Sequence, residues 1–436
     1  MISNINLSKH FFSYGVGIFP LLLLIGPLIS ELFLVTVILF TWIPIVKKKQ
    51  FKYLNKYFIF FSLFYLSTLF STLLNFYHFD NAIAGIFYFR IPLFAFAIWF
   101  ILDRHNLFNK KIVFFYTIFF LLIVFDSLFQ FYTGQNLIGY EIIRKRISSF
   151  FGEELILGGF ITRILPFFLV HLIMNDIINQ KINIYYTVFI SFICLIVYLS
   201  GERTSFFLLV LFFSLVFITV KDLRKFIFIV GIILFFLSLL MSYFKNSEQI
   251  NPANRMFSKT YAQVLGTGPP KVGNYKEHKK KLFNKVYIFS HDHHGHYLLA
   301  AKIIKDHPIF GVGAKGFRYL CRKKIYILEN NDGCSTHPHN TYLQVFSSNG
   351  VIGFIFLVTA FIYLIRQIII CRNKIEKENN FNKLKISQII MLITVLINFW
   401  PLVPSGNFFN NWLSMLYFYP IGYYLYFKHI DEKKIN

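Results

Sequence analysis

Apolar runs of bilayer length recur along this chain, and no other feature narrows its possible folds as much. Runs of roughly 17 to 25 residues, enough to cross ~30 Å of hydrocarbon as helix, fall near 11–29, 30–46, 57–76, 82–101, 112–131 and 155–174. Six more fall near 183–200, 204–220, 226–243, 341–365, 387–403 and 408–427. A backbone in hydrocarbon must satisfy its own hydrogen bonds, which each such run does by forming a helix. The expected fold is therefore an all-α integral membrane protein with about twelve transmembrane helices. Residues 1–243 would hold helices one to nine, 244–339 one large outer loop with short amphipathic helices, and 340–436 the last three helices and a tail. With 56% hydrophobic and 15% charged residues, 436 residues have too little polar surface for a soluble globule. The first run continues into the second without a small-residue exit, so it reads as an anchor and not as a cleaved leader.

The formal charge of +24 would suit nucleic acid. Its distribution argues against that partner, because the cations gather in short stretches beside apolar runs, as in cytoplasmic loops. Lys47, Lys48, Lys49, Lys52 and Lys56 follow run two, Arg104, Lys110 and Lys111 run four, and Lys221, Arg224 and Lys225 run eight. Arg366, Arg372, Lys374, Lys377, Lys383 and Lys385 follow run ten, and Lys428, Lys433 and Lys434 end the chain. All are even-numbered exits, which places both termini in the cytoplasm and the loop after run nine outside. Lys181 marks the loop after run six only weakly. Arg144, Lys145 and Arg146 after run five fall on the wrong side for this rule, which points to an anionic partner there.

Within the outer loop, residues 246–273 are rich in Asn, Pro, Gly and Thr and read as irregular. Tyr297, Ala301 and Ile304 predict a short amphipathic helix ending before Pro308. Gly311, Gly313 and Gly316 mark a tight turn; with no surrounding βαβ unit they do not make a dinucleotide site. His291-Asp292-His293-His294-Gly295-His296 has metal-ligand residue types, but such close spacing without preorganisation reads as a polar loop, so no metal is expected. Cys321 and Cys334 share the outer side, where a disulfide is expected to close a short basic loop just before His337; two free thiols are the plainer alternative.

Polar chemistry concentrates in residues 334–353, where Cys334-Ser335-Thr336-His337-Pro338-His339-Asn340 runs into an apolar segment. Pro338 biases His337 away from helix, so a helix is expected to start near Asn340, an N-cap type, with Leu343, Phe346 and Gly350 on one face. A lone histidine at a membrane surface is more often structural than catalytic. Gly201-Glu202-Arg203-Thr204-Ser205 places an arginine at an outer helix junction, either as a snorkelling anchor or as a guanidinium aimed at phosphate oxygens. Arg90 and Arg163 lie inside apolar runs, and intramembrane charges usually face a bundle interior or polar cavity. Either would then line the same site.

These residues resemble the O-antigen ligases and related O-antigen polymerases of bacterial envelopes. The family signature is a His, then Asn, Ser or Gln, nine residues, Gly, two residues, and Gly, Thr or Tyr. His339, Asn340, Gly350 and Gly353 match it at every spacing. Gly201–Ser205 looks like the family's arginine motif, and His307–Gly313 with Phe317 looks like its turn before the signature. The resemblance implies a glycosyl transfer needing no metal or cofactor, from a polyprenyl-diphosphate-linked glycan, on the periplasmic side of the bacterial inner membrane. His339 would be the general base, and Arg203 with a second cation would hold the diphosphate, supported by Asn340, His337 and Glu202. The family places that second arginine near the start of the loop helix, where this chain has His293, His294 and His296; Arg255, Arg318 or His296 would take its role.

The function expected from the sequence is transfer of a glycan from its lipid carrier to a lipid A-core or other glycan acceptor. A polymerase joining repeat units on the same carrier is the near alternative, and a protein O-oligosaccharyltransferase comes third. A lipid or glycan transporter is the alternative outside enzymes, but the paired half-helices or repeats of such proteins are not seen in the sequence.

Overall fold

A computed structural model describes Phe12 and residues 14–244, 253–258, 291–327, 333–377 and 381–435. Its elements are helical, with two isolated β-bridges, Gln135 to Glu141 and Ile143 to Arg146, among the described residues. The first half holds α1 (Phe19–Ile25), α2 (Pro27–Lys47), α3 (Lys56–Leu74), α4 (Phe79–Ile86), α5 (Arg90–Arg104) and α6 (Lys110–Thr133). Then come α7 (Leu157–Met174), α8 (Ile184–Leu199), α9 (Arg203–Thr219) and α10 (Arg224–Phe244). The loop region supplies α11 (His291–Asp306) and the single turn α12 (Phe317–Leu320), followed by α13 (Thr341–Glu376), α14 (Lys383–Asn398) and α15 (Asn411–Ile435).

Asparagines start several helices at the ends of apolar runs. The side chains of Asn55, Asn109, Asn183, Asn340 and Asn382 each accept backbone N–H groups of the next turn, filling donors that a helix start leaves open. Among the described residues, seven helices are long and apolar enough to cross a membrane, and α8 and α9 are shorter apolar helices. Helices also stand at the remaining expected runs. There α1 stops at Gly26-Pro27, α14 opens with Lys383 and Lys385, and α15 ends in Asp431, Glu432 and Lys433. The expected twelve crossings thus exceed what length and apolarity alone establish.

The core forms where α15 packs on α5 and α14, and α14 on α7. Nearly every residue of α7 is buried, whereas Leu32, Leu66, Phe114, Phe125, Phe228 and Phe236 expose apolar surface on α2, α3, α6 and α10. Such apolar outer faces suit lipid, where water would penalise them.

One break shapes the site. Inside α13, Gly350 adopts φ 65° and ψ −164°, so Leu343, Phe346 and Gly350 do not form the continuous face expected from their spacing. Most residues buried before the break are polar, Gln344, Ser347, Ser348 and Asn349 beside the apolar Val345. The turn at 308–313 docks into this break, with Val312 N–H donating to the Ser347 carbonyl (2.9 Å), Gly313 N–H to Ser348 (2.8 Å) and Val351 N–H to Pro308 (2.8 Å). A Cβ at Gly350 would stand 2.0 Å from the Ile309 oxygen, and one at Gly311 2.4 Å from the Ser348 carbon. Only glycine permits both that conformation and that approach. A polar row on α3 holds the junction: the Ser71 hydroxyl donates to Ser348, and the Asn349 amide donates to Thr68 (2.6 Å).

Candidate functional site

Two groups of charged and titratable residues assemble at this end of the bundle. The first surrounds Glu202. Its carboxylate accepts from the first N–H groups of α7, Gly158 (2.8 Å) and Gly159 (3.0 Å), and from the Ser205 hydroxyl (2.8 Å). An anion at a helix N-terminus is favourable, so Glu202 joins the start of α9 to the start of α7. Arg146 pairs with it at 3.3 Å and also donates to the carbonyls of Ser200 (3.2 Å) and Leu155 (2.8 Å). Arg255, in the helical turn Asn254–Ser258, donates to the Gly201 carbonyl at 3.0 Å. Burial, then Arg146 and Arg203, pull the Arg255 guanidinium down to about 10, which leaves it charged at neutral pH. Arg146 pairs with that carboxylate, Arg255 also feels it, and Arg203 bears on Arg255, so cations outnumber the carboxylate, a surplus that favours an anion.

The wrong-side basic cluster at 144–146 thus contributes a residue not singled out from sequence as a site residue. The signal was there in the broken charge rule; its pairing with Glu202, many residues away, was not. Arg90 does not join this group, since it is paired with Glu31 at 2.9 Å. Arg163 does adjoin it: Arg163 and Glu202 are both close to Gly159, and the buried Arg163 Nε has no hydrogen-bond partner among the described residues.

The second group is histidine. The sequence stretch read as a polar loop is the first turn of α11, because the helix runs back to His291 and brings His293 and His296 onto adjacent turns. His339 lies among them, its ring centroid 4.0 Å from His337, 5.0 Å from His296 and 5.5 Å from His293. No set of three or more metal-ligating side chains among the described residues is arranged to hold a metal.

The four rings are held differently. The Ser405 carbonyl can only accept, so His337 Nε2 carries the proton (3.2 Å), while its Nδ1 faces the Thr336 hydroxyl (2.9 Å). Both nitrogens of His337 are occupied. His296 Nδ1 donates to the Gly333 carbonyl at 2.7 Å, leaving Nε2 to face the cluster. Among the described residues no hydrogen bond fixes either ring nitrogen of His339. Its backbone is constrained instead, with φ 55° and its carbonyl held by Ser405 N–H (2.9 Å) and the Tyr297 hydroxyl (3.4 Å). Strained, over-determined backbone of this kind clusters at functional sites. Burial foremost, then His337, His296 and His293, hold the His339 imidazole down to about 3. Burial likewise holds His337 down to about 4, helped by His296, Arg318 and His293 and opposed by the Ser405 carbonyl. Both rings are neutral at pH 7.

Asn340 accepts from Tyr342 and Leu343 N–H and donates to the Pro401 carbonyl (2.8 Å), so it caps α13 and points its amide away from the rings. The Sγ atoms of Cys321 and Cys334 are bonded, with Cα atoms 5.1 Å apart, tying the end of α12 to the segment that leads to His337. Arg318 bears electrostatically on His337, and its buried Nε has no hydrogen-bond partner among the described residues. The two groups approach each other through Tyr417. Its ring centroid is 5.7 Å from the Arg163 guanidinium, and it also faces Thr341, whose hydroxyl donates to that of Ser405 (2.9 Å).

Residues 187–358 match the O-antigen ligase family model. Over that stretch the chain is similar to the O-antigen ligases. No curated protein matches the chain. The matched stretch contains Glu202, Arg203, Arg255, the four histidines and the Gly350 break, while Arg146, Arg163 and Tyr417 lie outside it. The match supports, at a coarse level, activity of the O-antigen ligase or polymerase type in a membrane protein.

Proposed function

We propose that the protein transfers a glycan from a polyprenyl-diphosphate carrier to a hydroxyl of a lipid A-core acceptor, at the outer face of a bacterial inner membrane. The observation that carries this reading is the pairing of a surplus of guanidinium groups around Glu202 with a neutral, unanchored His339 nearby. Arg203, Arg146 and Arg255 hold the diphosphate, with Arg318 or His296 as a further anion contact. His339 takes the proton of the acceptor hydroxyl as its oxygen attacks the anomeric carbon and the bond to the diphosphate oxygen breaks. The diphosphate leaves with its negative charge matched by guanidinium donors, whose planar fork suits phosphate oxygens. A bound diphosphate also raises the basicity of His339, because a nearby anion favours the imidazolium. That correction matters, since a base held near 3 is weak until the donor is bound. On this reading twelve crossings place both termini in the cytoplasm, and the Cys321–Cys334 bridge persists in the oxidising periplasm.

The test is deletion of the gene followed by analysis of lipopolysaccharide. Full-length glycan stranded on its carrier supports the ligase reading. A core bearing a single repeat unit would assign a polymerase instead, and unchanged lipopolysaccharide would remove both.

A further inference from the structure

A second site is a cleft between α3, α13 and α15 that runs from Phe399 and Phe408, whose backbone bonds Tyr342 and Gln344, to the opposite end of the bundle. A cavity of about 300 Å³ there is lined by Phe60, Phe64, Phe356 and Phe408, with Thr359 and Ala360 also on its wall. Its polarity is confined to one end. There Lys56 Nζ lies 5.5 Å and Lys428 Nζ 5.8 Å from the centroid of the same Tyr57 ring. The Tyr57 and Tyr363 hydroxyls are 2.7 Å apart, and those of Tyr363 and Tyr424 2.8 Å apart, forming a polar rim around the cations. Lys428 pairs with Glu432 (3.6 Å), whose side chain is 59% exposed, and no acidic partner within 4 Å of Lys56 is found among the described residues.

An apolar cleft with cations at one end fits an amphiphile with an anionic head. We infer that this cleft binds one anionic phospholipid, its phosphate between Lys56 and Lys428 and an acyl chain along the phenylalanines. Lys47, Lys48, Lys49 and Lys52 lie at the same end, because α2 and α3 are joined there by a short turn. Such a basic end attracts a leaflet rich in anionic lipid. The diphosphate head of the glycan carrier does not suit the lysine seat. Ser71, which touches the α13 break, is ~22 Å further along α3 at 1.5 Å per residue, so a diphosphate bound at the arginine group would lie at the wrong end of the cleft.

Native mass spectrometry of the detergent-purified full chain, titrated with phosphatidylglycerol or phosphatidylcholine, tests the inference and does not depend on glycan transfer. One phosphatidylglycerol should remain bound in preference to phosphatidylcholine. Lys56→Gln with Lys428→Gln should weaken it on the order of thirtyfold, at about 1 kcal/mol per cation. Ala360→Trp should displace it by filling the cleft; if that variant fails to fold, the lysine pair at the rim still decides. Equal retention of both lipids, retention unchanged in the lysine variant, or displacement of phosphatidylglycerol by a polyprenyl phosphate would overturn the assignment.

Discussion

The arginine group and the histidine group are neighbours, joined through Arg163 and Tyr417, yet they treat charge in opposite ways. Around Glu202 the guanidinium groups keep their charge, held by backbone carbonyls and by a carboxylate that the start of α7 holds in turn. Around His339 the rings crowd one another and lose their protons, with no carboxylate acting on His337 or His339 among the described residues. One group is built to meet an anion and the other to accept a proton. The difference also shows in restraint, since Arg146 makes three polar contacts while His339 is fixed by its backbone.

Breaking the first group should have the largest structural effect. Glu202→Ala leaves Arg146 buried without its partner, and loss of one member of such a pair costs about 3–5 kcal/mol. Chemical denaturation should show that loss, with Glu202→Gln recovering part of it because its one amide oxygen still accepts from Gly158 or Gly159. Next, Arg203→Lys should lower kcat/KM for transfer on the order of 10²-fold with folding intact, since a point charge does not copy bidentate phosphate contact. Near-normal transfer would reduce Arg203 to a helix anchor.

Opening the Cys321–Cys334 bridge sharpens the contrast, because it approaches only the histidine group. Mass mapping without reductant should find the two joined, and Cys321→Ser should cost about 3 kcal/mol; free thiols in purified protein would refute the bridge. The smallest effect is on pH. The pKa values of His337 and His339 are depressed on folding, so the unfolded chain binds protons first as pH falls below ~6.5. Their contribution to stability is present above that pH and is lost as pH drops through about 4 and about 3. Thermal unfolding between pH 7 and 4 should show this decline, and His337→Phe with His339→Phe should flatten it.

Which residues matter was legible wherever the chemistry is local. Asn340 as a helix cap follows from Pro338 and side-chain type, and the helix ending before Pro308 follows from periodicity. The break at Gly350 was not legible, because spacing alone continues the helix; it exists only because the turn at 308–313 donates to Ser347 and Ser348. Likewise His293 and His296 read as a loop, since a histidine-rich turn has little intrinsic helix preference and the helix start depends on packing against α13. Arg146 appeared as a charge on the wrong side, and only folding reveals its carboxylate at residue 202.

The central claim is that these two groups divide one reaction into anion holding and proton transfer. It is tested most directly by measuring donor binding and glycan transfer together in His339→Ala, reconstituted in liposomes with a lipid-diphosphate-linked glycan. The division predicts donor bound as in the unsubstituted protein and transfer abolished. Transfer retained by His339→Ala, or transfer and donor binding lost in parallel, would contradict it.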